Sequence, residues 1–162
     1  MVTFAGRKGE EIVGSEEIEL LLKDYEPVLD IKESNFPNLL LINLTMDPKL
    51  AVKIIANANL PNISKIIPIE AVVKTNINSI VNKVVNLCRK KVKANDTFSV
   101  RCDLRGSEIN KDEVVEKVEE ALTDELNLIP DKNGKWVIQI EIVGKITGIS
   151  VLKPDEFFKA KS

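Results

Sequence analysis

Residues 96–107, DTFSVRCDLRGS, carry the clearest structural signal in the chain. Apolar and polar side chains alternate through this stretch, which is the pattern of a half-buried β-strand. The apolar positions are Phe98, Val100, Cys102 and Leu104, and the polar positions are Thr97, Ser99, Arg101, Asp103 and Arg105. We therefore predict a strand over residues 97–104 that runs into a turn at Gly106, with two arginines on its polar face.

A basic helix is predicted immediately before this strand. From Ile77 onward, the apolar residues repeat with a period of about 3.6 and form one stripe, which ends near the basic run RKKVK at residues 89–93. The face opposite this stripe carries the cations Lys83, Arg89, Lys90 and Lys93. Lys91 does not lie on this cationic face, so we expect its side chain to snorkel or the residue to lie beyond the regular helix.

Charge is distributed unevenly along the chain, although the net charge is only −2. Residues 71–111 carry 9 basic and 3 acidic groups, a balance of +6. Residues 1–70 and residues 112–162 each carry 7 basic and 11 acidic groups, a balance of −4. Because binding responds to the local field, the central segment favours contact with an anion such as nucleic acid. The alternative is that a lysine-rich helix is simply solvated.

Several classes of protein are disfavoured by composition. The 162 residues are 44% apolar and 30% charged, as in soluble globular proteins of one medium or two small domains. No apolar run approaches the roughly 20 residues that span a bilayer, and the start of the chain lacks the features of a signal peptide. We therefore expect a cytoplasmic protein without membrane contact. Cys88 and Cys102 form no CxxC pair, which fits reduced thiols.

The sequence contains no recognisable catalytic or cofactor motif. Histidine, the commonest general base and metal ligand, is absent, and there is no P-loop, GxGxxG or GxSxG. Cys88 falls on the apolar stripe of its helix, so it is expected to be a core residue. We predict no catalytic residue, no cofactor and no metal site, and therefore a binding protein that is not itself an enzyme.

The remaining elements predict an α/β (α+β) protein in two parts. The first part, residues 1–70, has the strand–helix–strand–strand–helix–strand order of a ferredoxin-like domain. Gly14 leaves the start of its helix near Ile18 uncertain, and Ser15 is a candidate cap. Asp47 caps the second helix, with Pro48 at its first position. The predicted strands are residues 2–4, 27–31, 39–44 and 63–70.

The second part is predicted to span residues 71–155, with a tail over residues 156–162. After a strand at 71–75 come the basic helix and the arginine strand. A second helix follows, with Asn110 as its cap and Glu113 completing a capping box. A hairpin joins residues 136–143 to 146–152. In the tail, Phe157 and Phe158 are expected to pack back onto the body of the protein.

The two arginines of the central strand are suited to holding phosphate. Arg101 and Arg105 would stand about 13 Å apart, because a strand rises roughly 3.3 Å per residue. The guanidinium fork binds phosphate with two hydrogen bonds, and Gly106 would allow close backbone approach. The alternative is that Arg101 pairs within the sheet with Asp103 or Glu141. Since the chain has only 7 aromatic residues, recognition by backbone charge is favoured over base stacking.

The ordered combination of these segments resembles the THUMP domain. The likeness rests on IIPIEAVVKT at 66–75, DTFSVRCDLRGS at 96–107 and the WVIQIEIVG…GISVL hairpin at 136–152. THUMP domains are RNA-binding modules of tRNA-modifying enzymes. With an additional N-terminal ferredoxin-like half, the chain looks most similar to THUMP-only proteins that assist tRNA cytidine acetylation.

The resemblance implies binding of tRNA near its acceptor end and assistance to a separate tRNA acetyltransferase. By motif match, Arg101, Arg105 and Gly106 take the RNA-contact positions, and residues 89–93 supply charge. Asp103 departs from the pattern, where a neutral or basic residue is expected. Two alternatives remain open: the RNA-recognition subunit of a different split modifying enzyme, such as a methyltransferase or thiouridine enzyme, and a ferredoxin-like small-molecule-binding or structural protein without an RNA role.

Overall fold

The computed structural model describes residues 1–5, 9–26 and 30–160. Within these residues the chain forms four helices and two five-stranded sheets. It divides into two compact units, Met1–Pro68 together with Asp155–Ser162, and Ile69–Pro154. The predicted α/β fold class is confirmed.

The first unit has the predicted βαββαβ order, followed by a short strand from the C-terminal segment. The elements are β1 (Val2–Phe4), α1 (Glu10–Leu22), β2 (Asp30–Glu33), β3 (Leu39–Asn43), α2 (Pro48–Asn57), β4 (Ile63–Ile66) and β10 (Phe158–Lys159). The sheet runs β10-β4-β1-β3-β2 with antiparallel neighbours. No sequence pattern predicts β10, but its Phe158 packs against the core of this unit, as expected of the tail.

Ser15, the candidate cap of the first helix, is not its cap. α1 begins at Glu10 after Gly9, and Ser15 lies inside the helix. Gly14 does not end the helix because its missing side chain is filled by Phe4. A Cβ at Gly14 would stand 2.3 Å from two atoms of the Phe4 ring. A tertiary contact therefore overrides the low helix propensity of glycine.

Strand ends in this unit also differ from the prediction. β4 stops at Ile66 and does not continue to Glu70; Pro68, which has no N–H, follows shortly after. Of the strand predicted at 27–31, residues 27–29 lie outside the described part of the chain, and β2 begins at Asp30. The cap of α2 is as predicted, because the Asp47 side chain accepts a hydrogen bond from the Lys49 N–H at 3.0 Å.

The second unit contains every element predicted for it, with one additional two-residue strand. The elements are β5 (Ala71–Lys74), α3 (Ile77–Lys91), β6 (Thr97–Arg105), α4 (Lys111–Leu126), β7 (Ile129–Pro130), β8 (Trp136–Val143) and β9 (Ile146–Leu152). The sheet runs β5-β9-β8-β6-β7, with β6 parallel to both β8 and β7 and β9 antiparallel to β5 and β8. Asn76 caps the first helix, and Asn110 caps the second through the N–H of Glu113 at 3.0 Å.

Both helices of this unit pack on one face of the sheet. The predicted apolar stripe of α3 is buried at Ile80, Val84, Val85 and Cys88. It meets Phe98 and Cys102 of β6 in one core, together with the isoleucines of β8. Because strand side chains alternate, the polar face of β6 lies on the opposite side of the sheet from α3 and α4.

The two ends of this unit carry different groups. At one end, the Thr75 N–H bonds to the Lys145 carbonyl and the Gly144 N–H to the Arg105 carbonyl, which links the start of α3 to the end of β6. We call this the Arg105 end. The Asp96 end is the other, where α3 and β9 finish and β6 and β8 begin.

Candidate nucleic-acid interface

The structure does not gather the predicted cations into one surface. Residues 89–93 lie at the Asp96 end, whereas Arg105 and Gly106 lie at the other end of the unit. α3 has 15 residues, so about 22 Å separates its two ends. Arg101 is exposed in the middle of β6, on the side of the sheet away from α3. The role of these residues in RNA contact stays a prediction.

The cations on the outer side of α3 are accessible. Lys90 and Lys93 are exposed, and Lys83 is half-buried further up the helix. Arg89 approaches Glu125 of α4 at 3.8 Å, with both side chains more than half exposed. An ion pair this exposed contributes little to stability, so Arg89 can exchange its carboxylate for a phosphate at small cost.

Lys91 is engaged inside the unit. Its ammonium group bonds to the Glu70 carboxylate and donates to the Val151 carbonyl at 2.9 Å. Glu70 also accepts from the Val151 N–H at 2.7 Å. Lys91 therefore joins the last turn of α3 to β9, and Glu70 already balances its charge.

Arg105 also has an internal partner. Its Nη1 lies 3.2 Å from Oε2 of Glu141, whose side chain is only 1% exposed. The other oxygen of Glu141 accepts from Nε2 of Gln139 at 2.8 Å. Glu141 therefore does not face water, which was one of the two outcomes expected from the sequence. Gly106, with φ of 64°, turns the chain immediately after this pair.

Asp96 organises the opposite end of the unit. Its Oδ2 accepts from the backbone N–H of Lys93 at 3.0 Å and from the indole N–H of Trp136 at 3.1 Å. Lys135 Nζ lies 3.8 Å from Oδ1. These contacts, the Lys93 N–H first and the Trp136 indole second, hold the pKa of Asp96 below its usual value. The turn after α3 is thereby tied to the first residues of β8.

Two further lysines join this end of the unit. The ammonium groups of Lys135 and Lys153 lie 5.9 Å and 5.6 Å from the centre of the Trp136 ring, within the range of cation–π attraction. No sequence pattern marks these lysines, because only the pairing of β8 with β9 brings them together. We use the name Asp96-end cations for Lys90, Lys93, Lys135 and Lys153.

The two cysteines are not reactive groups. Cys88 and Cys102 are free and buried, as predicted for Cys88. Burial raises the pKa of the Cys88 thiol to about 12 and that of Cys102 to about 11. Neither thiol is ionised near neutral pH, so neither is suited to nucleophilic attack.

Neither a metal cluster nor a membrane span is found in the described residues. No group of three or more acidic or cysteine side chains there is placed to hold an ion. No helix there combines the length and the apolar character needed to cross a bilayer.

Residues 74–152 match the family model of the THUMP domain. The chain therefore contains a THUMP domain, which confirms the likeness seen in the sequence. β6, α4 and the β8–β9 hairpin lie wholly within the matched residues, and so do the predicted contact residues and the Asp96-end cations other than Lys153.

Solved structures share the fold over nearly the whole of this chain. PH1313 from Pyrococcus horikoshii superimposes with a TM-score of 0.75 at 20% identity, covering 98% of this chain and 54% of that one. TrmN from Thermus thermophilus superimposes with a TM-score of 0.65 at 14% identity, covering 95% of this chain and 46% of TrmN. A 4-thiouridine synthetase, solved as an RNA complex with bound ATP, gives 0.63 at 18% identity, covering 93% and 40%.

The present chain thus spans about half the length of these structures or less. A sequence comparison with curated proteins gives no significant match.

Proposed function

We propose that this protein is a non-catalytic tRNA-binding adaptor that presents the acceptor end of tRNA to a separate cytidine acetyltransferase, which forms acetylcytidine. The observation that carries the proposal is the THUMP match at residues 74–152. It overlaps most of the +6 segment at residues 71–111 of an otherwise acidic chain. The acetyltransferase comes from the likeness of the sequence to THUMP-only proteins.

The accessible charges favour recognition of the RNA backbone. The Asp96-end cations are lysines, which act as compact point charges toward phosphate. Trp136 is 8% exposed and its indole is bonded to Asp96, so it offers no face for base stacking. Arg101, on the other face of the sheet, would contact a separate phosphate. Arg105 and Lys91 would act mainly by holding the fold.

We assign catalysis to the separate acetyltransferase because of the side chains that this chain contains. Its two thiols are held un-ionised by burial, and its sequence contains no histidine. Free cysteines suit a reducing compartment, so we place the adaptor in the cytoplasm.

Binding to tRNA is tested by fluorescence anisotropy over a series of salt concentrations. Affinity should fall steeply with salt, because phosphate contacts release counterions. Changing Lys90, Lys93, Lys135 and Lys153 together to glutamine should weaken binding and reduce the salt slope by about 1 for each phosphate that is no longer neutralised. The matched control removes the same charge elsewhere, at Lys32, Lys53, Lys117 and Lys159. Equal weakening by both sets would reject the Asp96 end as the interface.

The adaptor role is tested by nucleoside mass spectrometry of tRNA from a strain lacking the gene. Acetylcytidine should disappear and should return with the wild-type gene but not with the four-lysine variant. Unchanged acetylcytidine would reject the adaptor role.

A second candidate is the RNA-recognition subunit of another separately encoded modifying enzyme. It is favoured by the shared fold with TrmN and with a 4-thiouridine synthetase. Loss of a different modified nucleoside in the same experiment would select it. Absence of tRNA affinity at low salt would reject both candidates in favour of a ferredoxin-like protein without an RNA role.

A further inference from the structure

The outward face of α1 exposes large apolar side chains. Ile12 and Val13 are each 55% exposed and Leu20 is 66% exposed. All three belong to one helix of 13 residues in the first unit. Single exposed apolar residues are ordinary on protein surfaces, but three on one helical face mark a candidate contact surface.

The positions of these residues show that α1 is apolar on two opposite sides. Its inner side is buried at Gly14, Ile18 and Leu22. At about 100° per residue, Ile12, Leu20 and Val13 fall within one arc of roughly 100° on the opposite side. A helix that is apolar on both sides is typical of one that is covered on both sides.

The rim of this surface is acidic. α1 contains five glutamates and no basic residue. Glu10 and Glu11 are engaged within the unit, by the Asn62 amide and the Asn38 N–H. The other three frame the apolar arc: Glu16 lies between Ile12 and Leu20, and Glu17 and Glu19 border it on either side.

We infer that this α1 face docks a partner protein whose contact surface combines apolar side chains with flanking lysine or arginine. We choose a basic partner protein because its charge would complement the acidic rim of this face. An RNA phosphate backbone would be repelled by the glutamates. A second copy placed α1 against α1 would oppose two acidic rims. A protein surface that is both apolar and basic fits both features. Such a protein would be a partner in addition to the proposed tRNA.

The experiment uses a defined probe with the full-length protein. The probe is a synthetic amphipathic helical peptide of leucine and lysine, and the comparison peptide has glutamate in place of lysine. Binding is measured by isothermal titration calorimetry at moderate salt. The lysine peptide should bind and the glutamate peptide should not.

Three variants distinguish docking on α1 from general attraction to acidic surfaces. Ile12→Ala with Leu20→Ala keeps the charge of α1 and its helix propensity, and should weaken binding of the lysine peptide at least tenfold. Glu116→Gln with Glu120→Gln removes charge from α4, an acidic helix on which no large apolar side chain is markedly exposed, and should change binding less than twofold. Glu16→Gln with Glu19→Gln on α1 should weaken binding and its salt dependence.

The opposite pattern, in which the α4 change weakens binding and the Ile12→Ala, Leu20→Ala change does not, would overturn the inference. Sedimentation offers a second test. A dimeric wild type with a monomeric Ile12→Ala, Leu20→Ala variant would also overturn the inference, because the α1 face would then bind a second copy of the chain. The tRNA affinity of that variant should be unchanged; a weaker affinity would show that RNA occupies this face. Failure of the tRNA experiment would leave the peptide result unaffected.

Discussion

The buried pair of Arg105 and Glu141 yields the sharpest test of the structure. Arg105→Ala would remove the ion pair that Arg105 makes with the carboxylate of Glu141, a side chain only 1% exposed. Breaking a buried ion pair on one side costs about 3–5 kcal/mol, and we expect about 3 kcal/mol here, because the Arg105 side chain is 26% exposed. For a chain of this size, that corresponds to a fall in Tm of roughly 6–12 °C.

The assay is urea unfolding followed by circular dichroism, with two companion variants. Adding Glu141→Gln to Arg105→Ala removes the buried negative charge and keeps an oxygen acceptor for Gln139, so it should recover part of the lost stability. Arg101→Ala, at an exposed position on the same strand face, should cost less, about 0–1 kcal/mol, because exposed charged contacts contribute little to stability. If Arg105→Ala proves as mild as Arg101→Ala, the pair has no structural role and Arg105 becomes available for RNA.

Gly14→Ala should destabilise the first unit by about 1–3 kcal/mol in urea unfolding, because the new Cβ would lie 2.3 Å from the Phe4 ring. The control Ser15→Ala, at the next residue, should leave the free energy of unfolding nearly unchanged. Stability equal to wild type would mean that Phe4 repacks freely. Asp96→Asn should be less stable than wild type near neutral pH, because the pKa of Asp96 is lowered in the folded protein. A lowered pKa adds stability that is fully present above the unfolded pKa near 3.8 and is lost as the pH falls through the folded pKa. The difference between the two proteins, measured from pH 6 downward, should begin to narrow near pH 4 and close as the pH falls through the lowered folded pKa. A constant gap would contradict the assigned hydrogen bonds. Glu26→Gln should behave in the same way, because the Thr45 hydroxyl and the Met46 N–H lower the pKa of Glu26.

Sequence patterns predicted elements of both units well where the signal was local. The stripe of α3, the alternation of β6 and the caps at Asn110 and Asp47 depend on neighbouring residues alone, and the structure confirms them. The errors lie where distant contacts decide. Gly14 stays helical because Phe4 fills the space beside it. β7 and β10 have two residues each and exist only through their pairing partners.

The candidate site was less predictable, because neighbours in sequence need not be neighbours in space. β6 starts beside the basic run at residues 89–93 and ends at Arg105, so its nine residues place these two groups of cations at opposite ends of the unit. Lys135 and Lys153 meet over Trp136 only through the order of strands in the sheet. The alternation of β6 correctly placed Arg105 away from the core, yet it carried no information about which partner would pair with Glu141.

The separation of charge between the two units bears on how the proposed adaptor would bind two partners. The Asp96-end cations attract an anionic ligand, while the glutamates of α1 repel one, so tRNA and a basic protein would be directed to different surfaces. Binding of the two partners should therefore be non-competitive. In the calorimetric experiment, saturating tRNA should leave the affinity of the lysine peptide for α1 unchanged once direct peptide–RNA association is subtracted. Competition would mean that bound RNA reaches α1, and the two partners would then have to bind as alternatives rather than as parts of one assembly.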